Sequence, residues 1–237
     1  MKLSNISRSI SNKISRNISH KPHEAPTQIL RNNQLTAIVD LSSADLTIGA
    51  LSTWGEFSQG TAGARPTVTA SIFGTVPGVV FDGGDYLSGT VNANTIGTII
   101  FVIKTPTTIT TRQCIFSVAD SAAANKWFQV GIDSDARIYA EYNNAGSINT
   151  VKGSSFLDIS TSYIVSISLG VDGYYAEIGG IEENPLTLDS VGTAGWFGSV
   201  TGTLNATIGA CVTSGGAARF FSGTIGAIQL YNTDLSE

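Results

Sequence analysis

From residue 36 onward, apolar and polar positions alternate over short runs broken by Gly, Asn, Asp and Ser clusters, with no helix-length 3.6-residue period. The pattern predicts strands near residues 36–40, 67–72, 78–81, 98–104, 113–118, 127–132, 137–142, 149–153, 163–169, 174–178, 204–209 and 224–231. In the 163–169 run, Tyr163, Val165, Ile167 and Leu169 face one way and Ser166 and Ser168 the other, which describes a half-buried strand. The 98–104 run is apolar on both faces, with Ile99, Phe101 and Ile103 against Ile100 and Val102, so it belongs at the centre of a sheet. Gly170-Val171-Asp172-Gly173 and Asp133-Ser134-Asp135 each join two runs and read as hairpin turns. About a dozen short strands do not remain one open sheet; they stack as two. The expected fold is an all-β sandwich of two antiparallel sheets.

The first 31 residues behave differently. Leu3, Ile6, Ile10, Ile14 and Ile18 recur at close to four-residue spacing among Ser, Asn and single basic residues. That spacing gives one apolar stripe on a helix and one apolar face on a strand, so the arm is helical or extended. Pro22 and Pro26 end it. Residues 1–31 carry six Lys/Arg against Glu24, a net +5, whereas residues 32–237 carry seven Lys/Arg and 17 Asp/Glu, a net −10. A basic arm, 1–31, therefore precedes an acidic body, 32–237. Five apolar residues form no core, so the stripe needs a partner surface. Docking is the leading reading; a solvated tail and an organellar leader, which shares its Arg- and Ser-rich composition, are the alternatives. No apolar run approaches the about 20 residues of a membrane span, and no membrane insertion is expected.

At this point the body resembles a family. Trp54, Gln59, Arg65-Pro66 and the segment from Pro77 to Leu87 (with Phe81-Asp82-Gly83-Gly84-Asp85-Tyr86) are similar to the opening of laminin-G-like domains. Trp127 to Ile132 with Arg137-Ile138-Tyr139 fit the middle. Ile208-Gly209-Ala210, Phe220 to Gly226 and Ile228 to Asn232 fit the closing strands. The resemblance covers about residues 40–237 and implies a concanavalin A-like jelly roll, a fold shared by lectins, glucanases, adhesion modules and phage particle proteins. Fold alone does not choose among these.

The chemistry is sparse. Both histidines, His20 and His23, lie in the arm, which removes His-dependent nucleophilic catalysis and His-ligated zinc from the body. The family's glucanases carry Glu-x-Asp-x-x-Glu; the nearest stretch here, Glu177 to Glu182, has Gly179 at the Asp position and reads as a strand exit. An acid pair involving Glu56 or Glu141 is the remaining hydrolase candidate, and no enzyme activity is expected. No cofactor is expected either. The resemblance suggests Ca²⁺, for which Asp82 with Asp85 and Asp133 with Asp135 are candidates, but each pair supplies too few oxygens and suits a tight turn better. Cys114 lies on a predicted strand and Cys211 just past another that could be its neighbour; both read as buried thiols, with a disulfide as the alternative if the strands pair. For glycan binding, Tyr142-Asn143-Asn144 and Trp196 offer aromatic area beside amides, against the alternative that the aromatics plug the sandwich and the amides serve turns. Trp54 and Trp127 are assigned to the core.

These features yield a leading expectation of a non-enzymatic structural protein of a virion, most readily a bacteriophage particle. The arm would anchor to other capsid or tail proteins through Leu3, Ile6, Ile10, Ile14 and Ile18. The jelly roll would face outward as decoration or as an adhesion module for host cell-surface glycan, with self-association left open. The second expectation is a free, soluble, lectin-like carbohydrate-binding protein; the third is a glycan hydrolase.

Overall fold

The computed structural model describes residues 36–184, 186–190 and 194–236. The arm residues Leu3, Ile6, Ile10, Ile14 and Ile18 lie outside the described residues, so its docking role stays an expectation. Among the described residues the chain is all-β, with two nine-stranded antiparallel sheets and one separate hairpin. No helix there is long and apolar enough to cross a membrane.

The first sheet runs Ile181–Glu182, Gly173–Ile178, Ser162–Gly170, Gly97–Lys104, Thr224–Tyr231, Val76–Val80, Thr67–Phe73 and Gly49–Ala50, with Val39–Ser42 also pairing with Thr224–Tyr231. Its centre is the strand that the sequence shows apolar on both faces: Ile99, Phe101 and Ile103 are fully buried, and Ile100 on the opposite face is nearly so. Val165, Ile167 and Leu169 of the neighbouring strand point into the core, while Ser168 meets Thr98 on the far face, Oγ to Oγ1 at 2.8 Å. Val171 and Asp172 make the turn between Gly170 and Gly173, where Gly173 takes φ +119°.

The second sheet runs Thr187–Ser190, Ser147–Lys152, Ile138–Asn144, Lys126–Ile132, Gln113–Asp120, Leu204–Ile208, Leu87–Gly89, Phe57–Ser58 and Thr53–Trp54. Phe116, Val118, Phe128, Val130, Ile132, Ile138, Ala140 and Tyr142 enter the core from it. A register shift beside Gly131 inserts Ile115 into the core and turns Cys114 to the opposite face. There the chains approach so closely that a Cβ on Gly131 would stand 1.9 Å from the Gln113 carbonyl oxygen.

Three sequence expectations need correction. Trp196 is fully buried, with its ring 5.0 Å from Phe128 and 4.9 Å from Phe197, and offers no face to a sugar. Tyr142 also points inward, its hydroxyl donating to the Ser199 carbonyl at 3.0 Å. Trp127, conversely, is not in the core: it is one residue out of phase with Phe128 and lies half-buried on the outer face. Trp54 is in the core as expected, its indole N–H donating to the Ser42 carbonyl. The residues that carry the laminin-G-like resemblance serve the fold. The Gln59 amide donates to the Tyr86 carbonyl, and Arg65 donates to the carbonyls of Gln59 and Gly60.

Candidate functional site

On strands whose even-numbered residues fill the core, the odd-numbered ones form the outer face: Trp127 and Gln129 on one strand, Tyr139, Glu141 and Asn143 on the next. Thr150 and Lys152 stand beside them on Ser147–Lys152. On the other flank are Cys114, Ser117 and Thr207. The hairpin of Cys211–Thr213 and Gly216–Ala218 packs over this flank and ends at Arg219, whose carbonyl accepts from the Cys114 N–H at 2.6 Å. Arg219 has φ +56°, a left-handed conformation that a non-glycine residue holds at a cost and that tends to mark functional positions.

Glu141, 2% exposed, is the hub. Its Oε1 accepts from Trp127 Nε1 at 3.2 Å, Gln129 Nε2 at 2.9 Å and Arg219 Nη1 at 2.5 Å. Its Oε2 accepts from Thr150 Oγ1 at 3.0 Å and from Arg112 Nη1. Arg112 also forks onto Asp133, with Nε and Nη2 donating at 3.1 and 2.9 Å. Lys152 Nζ meets Asp133 at 2.5 Å and Asp135 at 3.5 Å, and Arg137 pairs with Asp135 at 2.7 Å. The result is one continuous chain of charges: Arg219, Glu141, Arg112, Asp133, Lys152, Asp135, Arg137. It holds four of the seven basic residues of the acidic body.

Burial acts against charging Asp133, but the hydrogen bonds from Arg112 and Lys152 outweigh it and hold the carboxyl well below the usual range. Burial likewise opposes the charge on Arg112, and the Asp133 and Glu141 carboxylates more than restore it. The two guanidiniums stack over aromatic rings, Arg112 at 4.7 Å from the Tyr139 centroid and Arg219 at 5.3 Å from that of Trp127. Beneath them, the buried Tyr139 hydroxyl and Gln129 Oε1 have no hydrogen-bond partner among the described residues. Such orphaned polar atoms are uncommon in a face built for stability alone.

The residues singled out in the sequence scatter. Asn143 lies on the outer face, but its Oδ1 accepts the Gly146 N–H and shapes the turn, and Asn144 is exposed at that turn. Asp82 and Asp85 close a turn through the N–H groups of Gly84 and Asp82, and Asp133 and Asp135 are committed to ion pairs. Among the described residues no three His, Cys, Asp or Glu gather as metal ligands. Glu177 and Glu182 face each other across an edge hairpin. Glu141, noted as part of a hydrolase pair, has both oxygens engaged by five donors, which suits holding side chains in place rather than proton transfer. Cys114 and Cys211 are free thiols buried beside Ala119 and Trp127. Arg112, Arg219, Gln129 and Thr150 were not anticipated. The usable signal was the run of Trp127-Gln129 and Tyr139-Glu141-Asn143 at alternate positions on strands otherwise apolar.

No protein-family model matches the sequence, and no curated protein does. Solved structures share the fold. Domain 4 of AbnA, a GH43 extracellular arabinanase from Geobacillus stearothermophilus, in complex with arabinotriose, superposes with a TM-score of 0.60 at 14% identity, over 84% of this chain and 94% of that one. The CBM40 of the Ruminococcus gnavus IT-sialidase, bound to α2,3-sialyllactose, gives 0.52 at 21% identity, over 61% of this chain and 80% of that one. The NanB sialidase of Streptococcus pneumoniae gives 0.53 at 17% identity, over 68% of this chain but only 26% of NanB. The body is a jelly-roll-type β-sandwich like these.

Proposed function

We propose that the body is a non-catalytic carbohydrate-binding module, and that its ligand lies on the outer face of the second sheet around Trp127, Arg112 and Arg219. The observation that carries this reading is the charged and hydrogen-bonded network centred on Glu141, which fixes two partly exposed guanidiniums and a half-buried indole on that face. Guanidiniums and amides pair with sugar hydroxyls, and the half-buried indole of Trp127 offers stacking area. Structures of the same fold that hold arabinotriose and sialyllactose support the class of ligand. They favour the binding protein, the second expectation from sequence, over the virion component placed first. Particle anchoring by residues 1–31, virion partners and virion location gain no support from the described residues.

The test is a glycan array with the full chain, followed by calorimetric titration of hits. Trp127→Ala and Trp127→Phe are compared with Trp196→Phe, which changes a core ring. Binding lost in Trp127→Ala and retained in Trp196→Phe is expected. Binding indifferent to Trp127→Ala would move the site elsewhere, and an array with no hits would overturn the module reading.

A further inference from the structure

The hydrogen-bond roles of the two arginines differ, and the difference indicates what kind of sugar the face takes. Arg112 is a structural cation: Nε and Nη2 grip Asp133, Nη1 grips Glu141, and its side chain is 23% exposed. Arg219 is engaged on one nitrogen only. Nη1 donates to Glu141, the guanidinium rests over Trp127, and the Nε and Nη2 hydrogens meet no acceptor among the described residues. Its side chain is 31% exposed. The Nε–Nη2 edge is the one a carboxylate meets with two parallel hydrogen bonds, as Asp133 does on Arg112. One network thus contains the same fork twice, once filled by a protein carboxylate and once open.

We infer that the module binds a sugar bearing a carboxylate, which docks on the Nε–Nη2 edge of Arg219. This rests on the proposed binding face. Charge agrees with it. The body's net −10 repels extended polyanions, which selects a singly charged group over a nucleic acid backbone. Glu141 is the positioning residue. Its Oε1 holds Nη1 of Arg219 at 2.5 Å.

The experiment titrates the full chain with α2,3-sialyllactose, its carboxyl methyl ester, lactose and arabinotriose, beside an array of uronic-acid and neutral glycans. At least one acidic sugar should bind about tenfold or more tighter than its ester or neutral counterpart. Arg219→Lys keeps the charge, loses the fork, and should weaken the acid about tenfold or more, a larger factor than for any neutral ligand. The unfolding midpoint of Arg219→Lys shows whether it remains folded, and Arg219→Gln provides a second substitution if it does not. Equal binding of acid and ester, or of acid by wild type and both variants, overturns the carboxylate site and leaves the carbohydrate module standing. An array with no binding of any class overturns both.

Discussion

Replacing Glu141 by Gln should destabilise the body more than any other single isosteric change on its surface sheets. The carboxylate accepts five hydrogen bonds, two from guanidiniums, at 2% exposure. Glutamine keeps one acceptor oxygen and turns an N–H₂ toward donors that need an acceptor. Breaking a buried ion pair by removing one partner costs about 3–5 kcal/mol. Arg112 and Arg219 retain some solvent, with side chains 23% and 31% exposed, so the lower end, about 3 kcal/mol, is expected. With a urea slope of about 2–3 kcal/mol/M for a body of this size, the midpoint falls by roughly 1 M. Urea unfolding followed by tryptophan fluorescence reads this directly, with Glu56→Gln as an exposed control that should stay within about 0.5 kcal/mol. Adding Arg219→Leu to Glu141→Gln should cost less than the two single changes summed, because each removes the same contact. A midpoint that moves no more for Glu141→Gln than for Glu56→Gln would refute the description of Glu141 as the hub.

Trp196→Ala should cost about 3–5 kcal/mol in the same assay, since its indole is fully enclosed by Phe128 and Phe197; a loss under about 1 kcal/mol would show that the end of the sandwich is not closed by this ring. Asp133 has its proton affinity lowered in the folded state, so its stabilisation is complete above the unfolded value near 4 and declines as pH falls below it. Urea midpoints between pH 6 and pH 2 should drop more steeply for wild type than for Asp133→Asn, and parallel profiles would refute the pairing. Burial pushes both thiols up, Cys211 to about 11, so at pH 8 the folded chain should not react with an aromatic disulfide reagent, whereas in urea both cysteines should react; fast reaction of the native chain would refute their enclosure.

Most of the sandwich was legible because strand alternation is a local property. The runs around Gly97–Lys104, Ser162–Gly170 and Thr224–Tyr231 announced both their position and the face that each residue takes. The hairpin carrying Arg219 was not legible, since Cys211 to Ala218 is made of small residues with one valine and shows no alternation. Trp196 was left between a sugar-facing and a sandwich-plugging reading for a related reason. Glycines flank it on both sides of Trp196-Phe197, which reads as loop, and no local pattern says that a loop folds back into the core. Trp127 was assigned inward on hydrophobicity alone, although its phase against Phe128, Val130 and Ile132 already placed it outside. The site itself joins Arg112, Glu141 and Arg219, which lie 29 and 78 residues apart, and a pairing at that range leaves no trace in a single sequence.

The central pairing of the first sheet has a bearing on how the chain is made. Gly97–Lys104 needs Ser162–Gly170 along one edge and Thr224–Tyr231 along the other, and Val39–Ser42 waits for that same late strand. During synthesis the early strands emerge long before residue 224, so an apolar strand such as 97–104 has one edge of backbone donors and acceptors open until that residue is made. Exposed edges of this composition attract other strands, from neighbouring chains as readily as from their own. Yield from a heterologous host should therefore depend more on how fast residues 97–224 are translated, and on chaperone supply, than on the stability of the finished sandwich.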